Sequence, residues 1–127
     1  MKINRIDHFV ITTRSLVDCL HFYVDILGME HVERGGHHSL QFGSQKINIH
    51  TVKGEYQPAA LNPEYGSQDF CLIVDGDLDA VKIEIEDKRW PVLDGIVSRN
   101  GALGPMRSIY LRDPDGNLVE LSSYMRK

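Results

Sequence analysis

The sequence predicts an α+β fold in which two βαβββ modules form a curved mixed sheet around one cleft. Two observations carry this. A strand-like run, a helix start and three more strand-like runs occur in that order twice along the 127 residues, and a stretch rich in Gly, Pro and Asn separates the copies. A repeat of this size implies that neither copy buries its apolar face alone, so the two close on each other within the chain or across a dimer. The predicted layout is one domain, with module 1 at about residues 1–55, a linker at about 56–68 and module 2 at about 69–127.

The first module opens on Arg5 to Thr12, rich in β-branched and aromatic residues. Ser15 is the predicted N-cap of a helix, with Asp18 three residues on. Leu16, Leu20, Tyr23 and Leu27 follow at helical spacing, and Gly28 stops the helix. Strands are predicted over Met29 to Glu33, His38 to Phe42 and Lys46 to Val52, divided by the turn signals Gly35-Gly36 and Gly43-Ser44. Between Lys53 and Gln68 the composition shifts, with Pro58 and Pro63 inside, which marks a linker.

The second module repeats the order. Asp69 to Val74 is strand-like, and Asp77 caps a helix with Leu78, Val81 and Ile85 as its stripe, ending near Arg89. Strands over Val92 to Ser98, Arg107 to Arg112 and Asn117 to Ser123 complete it. The last two are joined by Asp113-Pro114-Asp115-Gly116, which fits a type I turn with Pro at its second position.

Composition narrows the function. The formal net charge is -4, with both signs interleaved, so there is no basic footprint for nucleic acid and a small molecule is the expected partner. Cys19 and Cys71 are the only cysteines and form no CxxC, which predicts reduced thiols rather than a disulfide framework or thiolate zinc site. The first apolar run, Ile6 to Ile11, is broken by Asp7 and His8 and does not read as a signal peptide. No stretch reaches the roughly 20 apolar residues of a membrane helix. The expectation is a cytoplasmic protein without a membrane partner.

Strand side chains alternate between faces, which sorts the polar groups. Phe9 and Ile11 alternate with His8 and Val10, Ile47 and Ile49 with Asn48 and His50, and Val119 and Leu121 with Leu118, Glu120 and Ser122. Each strand thus has an apolar face and sets one ionisable group on the other. A pseudo-twofold repeat matches His8 with Asp69 and His50 with Glu120. Two imidazoles with one or two carboxylates suit zinc, nickel, iron(II) or manganese, with positions left open to water and substrate. The predicted metal ligands are therefore His8, His50 and Glu120, with Asp69 as a fourth.

Tyr110 is a candidate to orient a substrate oxygen or act as an acid, against the alternative of a packed aromatic. Arg99 and Arg107 flank the Gly101 and Gly104 loop and either clamp an anion or face water. His21, His31, His37 and His38 read as solvated or loop residues, with His37-His38 also able to touch substrate. Asn48, Cys71, Tyr110, Ser122 and the Pro58 to Gln68 linker are the expected cavity walls.

Taken together, IDHFVITT, HFYVDILGM, KINIH and GPMRSIYLRDPDGNLVEL resemble the vicinal oxygen chelate superfamily. That group includes glyoxalase I, extradiol ring-cleaving dioxygenases, fosfomycin resistance proteins and bleomycin-binding proteins. The resemblance covers nearly the whole chain. Within it, KINIHTV, the Pro-rich linker, DFCLIV and GPMRSIYLRDPDGN look closest to the glyoxalase-domain-containing protein 5 type.

The resemblance implies metal ligands on the first and last strands of each module, at His8, His50, Asp69 and Glu120. His8 and Glu120 match widely used positions. Glyoxalase I typically has a carboxylate or glutamine on its fourth strand and a histidine or glutamine on its fifth, so His50 and Asp69 read as exchanged. Extradiol dioxygenases and fosfomycin enzymes take their second histidine from the fifth strand, from which Asp69 also departs. A homodimer is implied as well.

Three functions follow. The first is a metal-dependent glyoxalase-like lyase or isomerase acting on a small oxygen-chelating substrate, with Glu120 or Asp69 moving the proton. The second is an extradiol dioxygenase using His8, His50 and Glu120 as a two-histidine, one-carboxylate triad, with Tyr110 nearby. The third is a drug-binding protein without turnover.

Overall fold

In a computed structural model describing residues 1–125, the chain divides into two compact units, Met1–Ser67 and Gln68–Lys127. Each is a four-stranded mixed sheet with one helical segment, which is the two-module α+β architecture expected from the repeat.

In the first unit β1 (His8–Thr12) leads into α1 (Leu16–Leu20) and then β2 (Glu30–Arg34), β3 (His37–Phe42) and β4 (Gln45–His50). The sheet order is β1-β4-β3-β2. β1 lies parallel to β4, and the other pairs are antiparallel hairpins. Ser15 caps α1 as its position suggested, its hydroxyl accepting the Asp18 N–H. Past Leu20 the backbone widens into a π-helical segment, His21–Ile26. The buried stripe runs through Cys19, Phe22, Tyr23 and Ile26, while Leu16, Leu20 and Leu27 flank it half-buried. The consecutive rings of Phe22 and Tyr23 are both wholly buried and meet edge to face at 4.8 Å. Ile11, Leu40, Ile47 and Ile49 supply the strand side of this core.

The segment expected to be a linker folds onto the first unit. Lys53 pairs with Glu64 at 2.6 Å, and the guanidinium of Arg14 lies 4.4 Å from the centre of the Tyr65 ring. Tyr56 stacks on His37 at 4.1 Å.

The second unit repeats the pattern with β5 (Asp69–Ile73), α2 (Leu78–Asp87), β6 (Asp94–Gly101), β7 (Gly104–Arg112) and β8 (Leu118–Tyr124) in sheet order β5-β8-β7-β6. Its core is Leu78, Ile85, Ile109, Leu111, Val119 and Leu121. Asp77 caps α2, accepting from Asp79 N–H. The predicted turn closes with Gly116 N–H donating to Asp113 C=O at 3.0 Å. Asp113 and Asn117 are themselves buried and bonded side chain to side chain at 2.7 Å. At Gly95 the β6–β7 register shifts, and φ is +108°. A Cβ there would meet the Ser108 carbonyl at 2.5 Å, so the bulge requires glycine. Among the described residues neither cysteine forms a disulfide, and no helix is long and apolar enough to cross a membrane.

Candidate functional site

Residues paired across neighbouring strands share a sheet face, so register places each candidate. In the second unit Cys71 pairs with Glu120 and Tyr110 pairs with Glu120 from the other side, so the three form one cross-strand row. Ser122 and Ser108 form the next row, and Asp69 with Leu118 the row before. Asp69, Glu120 and Tyr110 therefore occupy one face, opposite the buried Val119, Leu121, Ile109 and Leu111.

Hydrogen bonds fix Glu120 on that face. Ser108 Oγ donates to Glu120 Oε2 at 2.6 Å, and Ser122 Oγ reaches the same oxygen at 3.1 Å. The two hydroxyls lie 2.6 Å apart, and Cys71 Sγ lies 3.1 Å from Ser122 Oγ. Among the described residues no hydrogen bond occupies Oε1 of Glu120. One carboxylate oxygen is thus held and the other is available to a ligand. Loss of water around its sulfur pushes the Cys71 thiol above its ordinary value; the Ser122 hydrogen bond opposes this, and the Glu120 charge adds to it.

Tyr110 Oη accepts from Arg99 Nε at 2.8 Å, with the guanidinium 5.3 Å from the ring centre. Arg107 instead pairs with Asp79 at 3.1 Å, which draws the Asp79 carboxyl below its usual range. Of the two arginines flanking the loop, Arg99 alone touches the candidate row.

In the first unit His8 is exposed and its Nδ1 lies 2.8 Å from Asp7 Oδ2. This hydrogen bond draws the Asp7 carboxyl below its usual range. A carboxylate on one ring nitrogen leaves Nε2 as the coordinating atom, a common arrangement around metal-binding imidazoles.

His50 is placed elsewhere. His8 pairs with Lys46, and His50 pairs with Thr12, so the two histidines stand four residues apart along β1 and β4, about 13 Å. The matching of His50 with Glu120 is corrected by the same registers. Asp69 paired with Leu118 takes the place of His8 paired with Lys46, so Glu120 corresponds to Asn48, and His50 corresponds to Ser122. A shift by two keeps every side chain on its face, so alternation could not expose the error.

Among the described residues no three His, Cys, Asp or Glu side chains stand close enough together to hold a metal ion. His8 and Glu120 stand instead as oriented single donors, each with an atom outside the hydrogen bonds that orient it, and imidazole with carboxylate suits a divalent cation.

The first unit carries a cavity of about 440 Å³ on the face of β2, β3 and β4 that also bears His8 on β1, with Tyr56 at its side. His37, His50 and Tyr56 line it together, a cluster that sequence reading of isolated histidines missed. The signal lay in the hairpin register that sets His37 near the end of β4.

The sequence matches the family described as glyoxalase, bleomycin resistance protein and dioxygenase over residues 5–121. The chain belongs to this superfamily. Its relatives include the glyoxalase domain-containing protein RDO1 of Mycosarcoma maydis, 43% identical over 98% of this chain and 70% of that protein. Virulence protein STM3117 of Salmonella typhimurium is 41% identical over 98% of this chain and 88% of its own length. The crystal structure of STM3117 superposes with a TM-score of 0.95 over 98% of this chain and 100% of that one. Lactoylglutathione lyase from Agrobacterium tumefaciens is 26% identical, with a TM-score of 0.73 over 96% of this chain and 95% of that one. Members of this superfamily commonly bind divalent metals and small-molecule substrates.

Proposed function

We propose that the protein is a metal-dependent glyoxalase-like lyase or isomerase acting on a small substrate with neighbouring oxygens, and that it works as a homodimer of the glyoxalase-domain-containing protein 5 type. The observation that carries this is Glu120, with Oε2 held by Ser108 and Ser122 and Oε1 free, facing Tyr110 across the β7–β8 pair. Asp69 and Glu120, in adjacent rows of one face of the second unit, together with His8 supplied in the proposed homodimer, would hold a divalent zinc, nickel, iron or manganese ion, which would supply Lewis acidity to the substrate oxygens. Glu120 is the group that takes and returns the proton. Its fixed oxygen keeps the carboxylate from rotating away, so its free oxygen meets substrate in one orientation. Tyr110, steadied by Arg99, offers a hydroxyl to a substrate oxygen on the same face.

The dioxygenase reading needs a second histidine beside His8, and the β1–β4 register lends it no support at His50. Metal analysis of purified protein tests the proposal together with hemithioacetal isomerisation and catechol cleavage assays. Bound metal lost in both His8→Ala and Glu120→Gln, with isomerase turnover, is expected. Unchanged metal stoichiometry in both variants would overturn the site, and iron with catechol cleavage would transfer the protein to the dioxygenases. Purified protein that holds no metal and binds a hydrophobic drug without turnover would favour the binding-protein reading.

A further inference from the structure

The cavity on the first unit has an electrostatic character that the proposed reaction does not use. Arg34, His37, His38, Lys46 and His50 line it, and no Asp or Glu does, in a chain whose acidic residues outnumber Lys and Arg by 18 to 14. Arg34 stands directly opposite His37 in the β2–β3 register. From His38 opposite Ile49, the β3–β4 register runs on toward His37 and His50. Both of these rings lie against Tyr56, His37 stacked at 4.1 Å and His50 edge-on at 5.2 Å. A fixed cation and two imidazoles are thus placed side by side across neighbouring strands, a set of hydrogen-bond donors that an anion among them could accept from.

The nearby carboxylates are engaged locally. Glu33 accepts from Gly36 N–H at 2.7 Å. Glu55 accepts from Thr51 N–H at 2.7 Å and from the Thr51 hydroxyl. The Thr51 backbone bond is the main reason the Glu55 carboxyl lies below its usual range. Neither lines the cavity, although His50 and His37 also help to lower the Glu55 carboxyl, so the positive character of the space rests on Arg34 and Lys46. Ser39, Asn48 and Gln41 add neutral hydrogen-bonding groups along the floor, with Lys46 at the far end. The volume, about 440 Å³, is that of a small-molecule site.

We propose that this cavity is an oxyanion-binding site, in which Arg34, His37 and His50 hold the carboxylate or phosphate group of a small molecule beside Tyr56. None of these residues belongs to the proposed metal set, although Lys46 at the far end of the cavity borders His8, so loss of the anion site and loss of the metal site are read on different variants.

The test is a titration of isotopically labelled protein followed by amide chemical shifts, with inorganic phosphate in one arm and benzoate in the other, at constant ionic strength. Each arm is run on protein as purified and again with chelator. Saturable shifts centred on β2, β3, the end of β4 and Tyr56 are expected, unaffected by chelator. Arg34→Gln should weaken binding by about ten-fold or more, as for loss of a charged hydrogen-bond donor, while the exposed Glu33→Gln leaves it within about two-fold. Tighter phosphate identifies a phosphorylated ligand, and tighter benzoate an organic acid. Shifts that do not saturate, that centre elsewhere, that vanish with chelator or that persist unchanged in Arg34→Gln would overturn the site.

Discussion

Ser108 and Ser122 place their hydroxyl oxygens 2.6 Å apart beneath Glu120, and both lie within hydrogen-bond reach of its Oε2. Each serine has one proton to donate. With Ser108 donating to the carboxylate, Ser122 completes the chain by donating to Ser108 or sharing with Oε2, and the Cys71 thiol stands next in line. The carboxylate is thus oriented by a file of neutral groups on neighbouring strands, all on the same face. Replacing Ser108 by Ala removes the shortest of these bonds from a fully buried position. The expected result is about a 10–100-fold loss of metal affinity or turnover, as for other groups that orient a ligand, with a stability loss of only about 1 kcal/mol. Metal titration alongside urea unfolding separates the two effects. Equal loss in both would mean that Ser108 merely packs.

The same file governs Cys71. Its thiol loses a proton less readily than an ordinary cysteine because its sulfur is partly withdrawn from water and the Glu120 charge opposes a second anion nearby. The folded state therefore favours the protonated thiol, a preference fully present at pH below the unfolded value and lost as pH rises through the raised folded one. Alkylation by iodoacetamide tracks thiolate, so at mildly alkaline pH Cys71 should react more slowly in native protein than in urea. Its rate should climb at a higher pH than that of a free thiol. Glu120→Gln should shift that climb slightly downward. A native rate matching the unfolded one would refute the direction.

Asn117 anchors the turn that delivers β8. Its amide donates to Asp113 Oδ2 at 2.7 Å, its carbonyl accepts from Gln68 N–H at 2.9 Å, and its backbone N–H donates to Asp113 Oδ1. The side chain is 1% exposed. Asn117→Ala removes both side-chain bonds and leaves buried polar groups less satisfied, at a cost of about 2–4 kcal/mol. The urea midpoint should fall by about 1–2 M at an unfolding slope of order 2 kcal/mol per molar. A shift below about 0.3 M would show that water replaces the amide without loss.

How far the sequence reaches is visible in particular residues. Strand faces were legible because Ile47, Ile49, Val119 and Leu121 alternate strictly with polar neighbours, and all four are buried. Caps at Ser15 and Asp77 and the Asp113 to Gly116 turn were legible because each rests on a local hydrogen bond. Of the expected helical stripe Leu16, Leu20, Tyr23 and Leu27, only Tyr23 is wholly buried, and Cys19, Phe22 and Ile26 take the places beside it. A π-helical turn changes the spacing that an α-helical template assumes. The polar faces were legible, but the rows across them were not, since row membership depends on how many residues each hairpin turn absorbs. That is why no sequence pattern joins Arg34 to His37 and His50, and why alternation alone matches His50 with Glu120.

Register gives the sharpest discrimination for His50. It stands opposite Thr12 at one end of the β1–β4 pair while His8 stands opposite Lys46 at the other, and two groups about 13 Å apart cannot ligate one ion at the roughly 2.1 Å that zinc–nitrogen bonds require. If His8 is a ligand within its own unit, His50 is excluded from that ion, and its ring contact with Tyr56 gives it another task. His50→Ala should therefore leave metal stoichiometry unchanged and weaken phosphate or benzoate binding several-fold. His8→Ala should do the reverse, losing metal and keeping the anion. Metal analysis and the amide titration on the same two variants read both columns of this exchange. Metal lost in His50→Ala and retained in His8→Ala would reassign the ligand to the fourth strand.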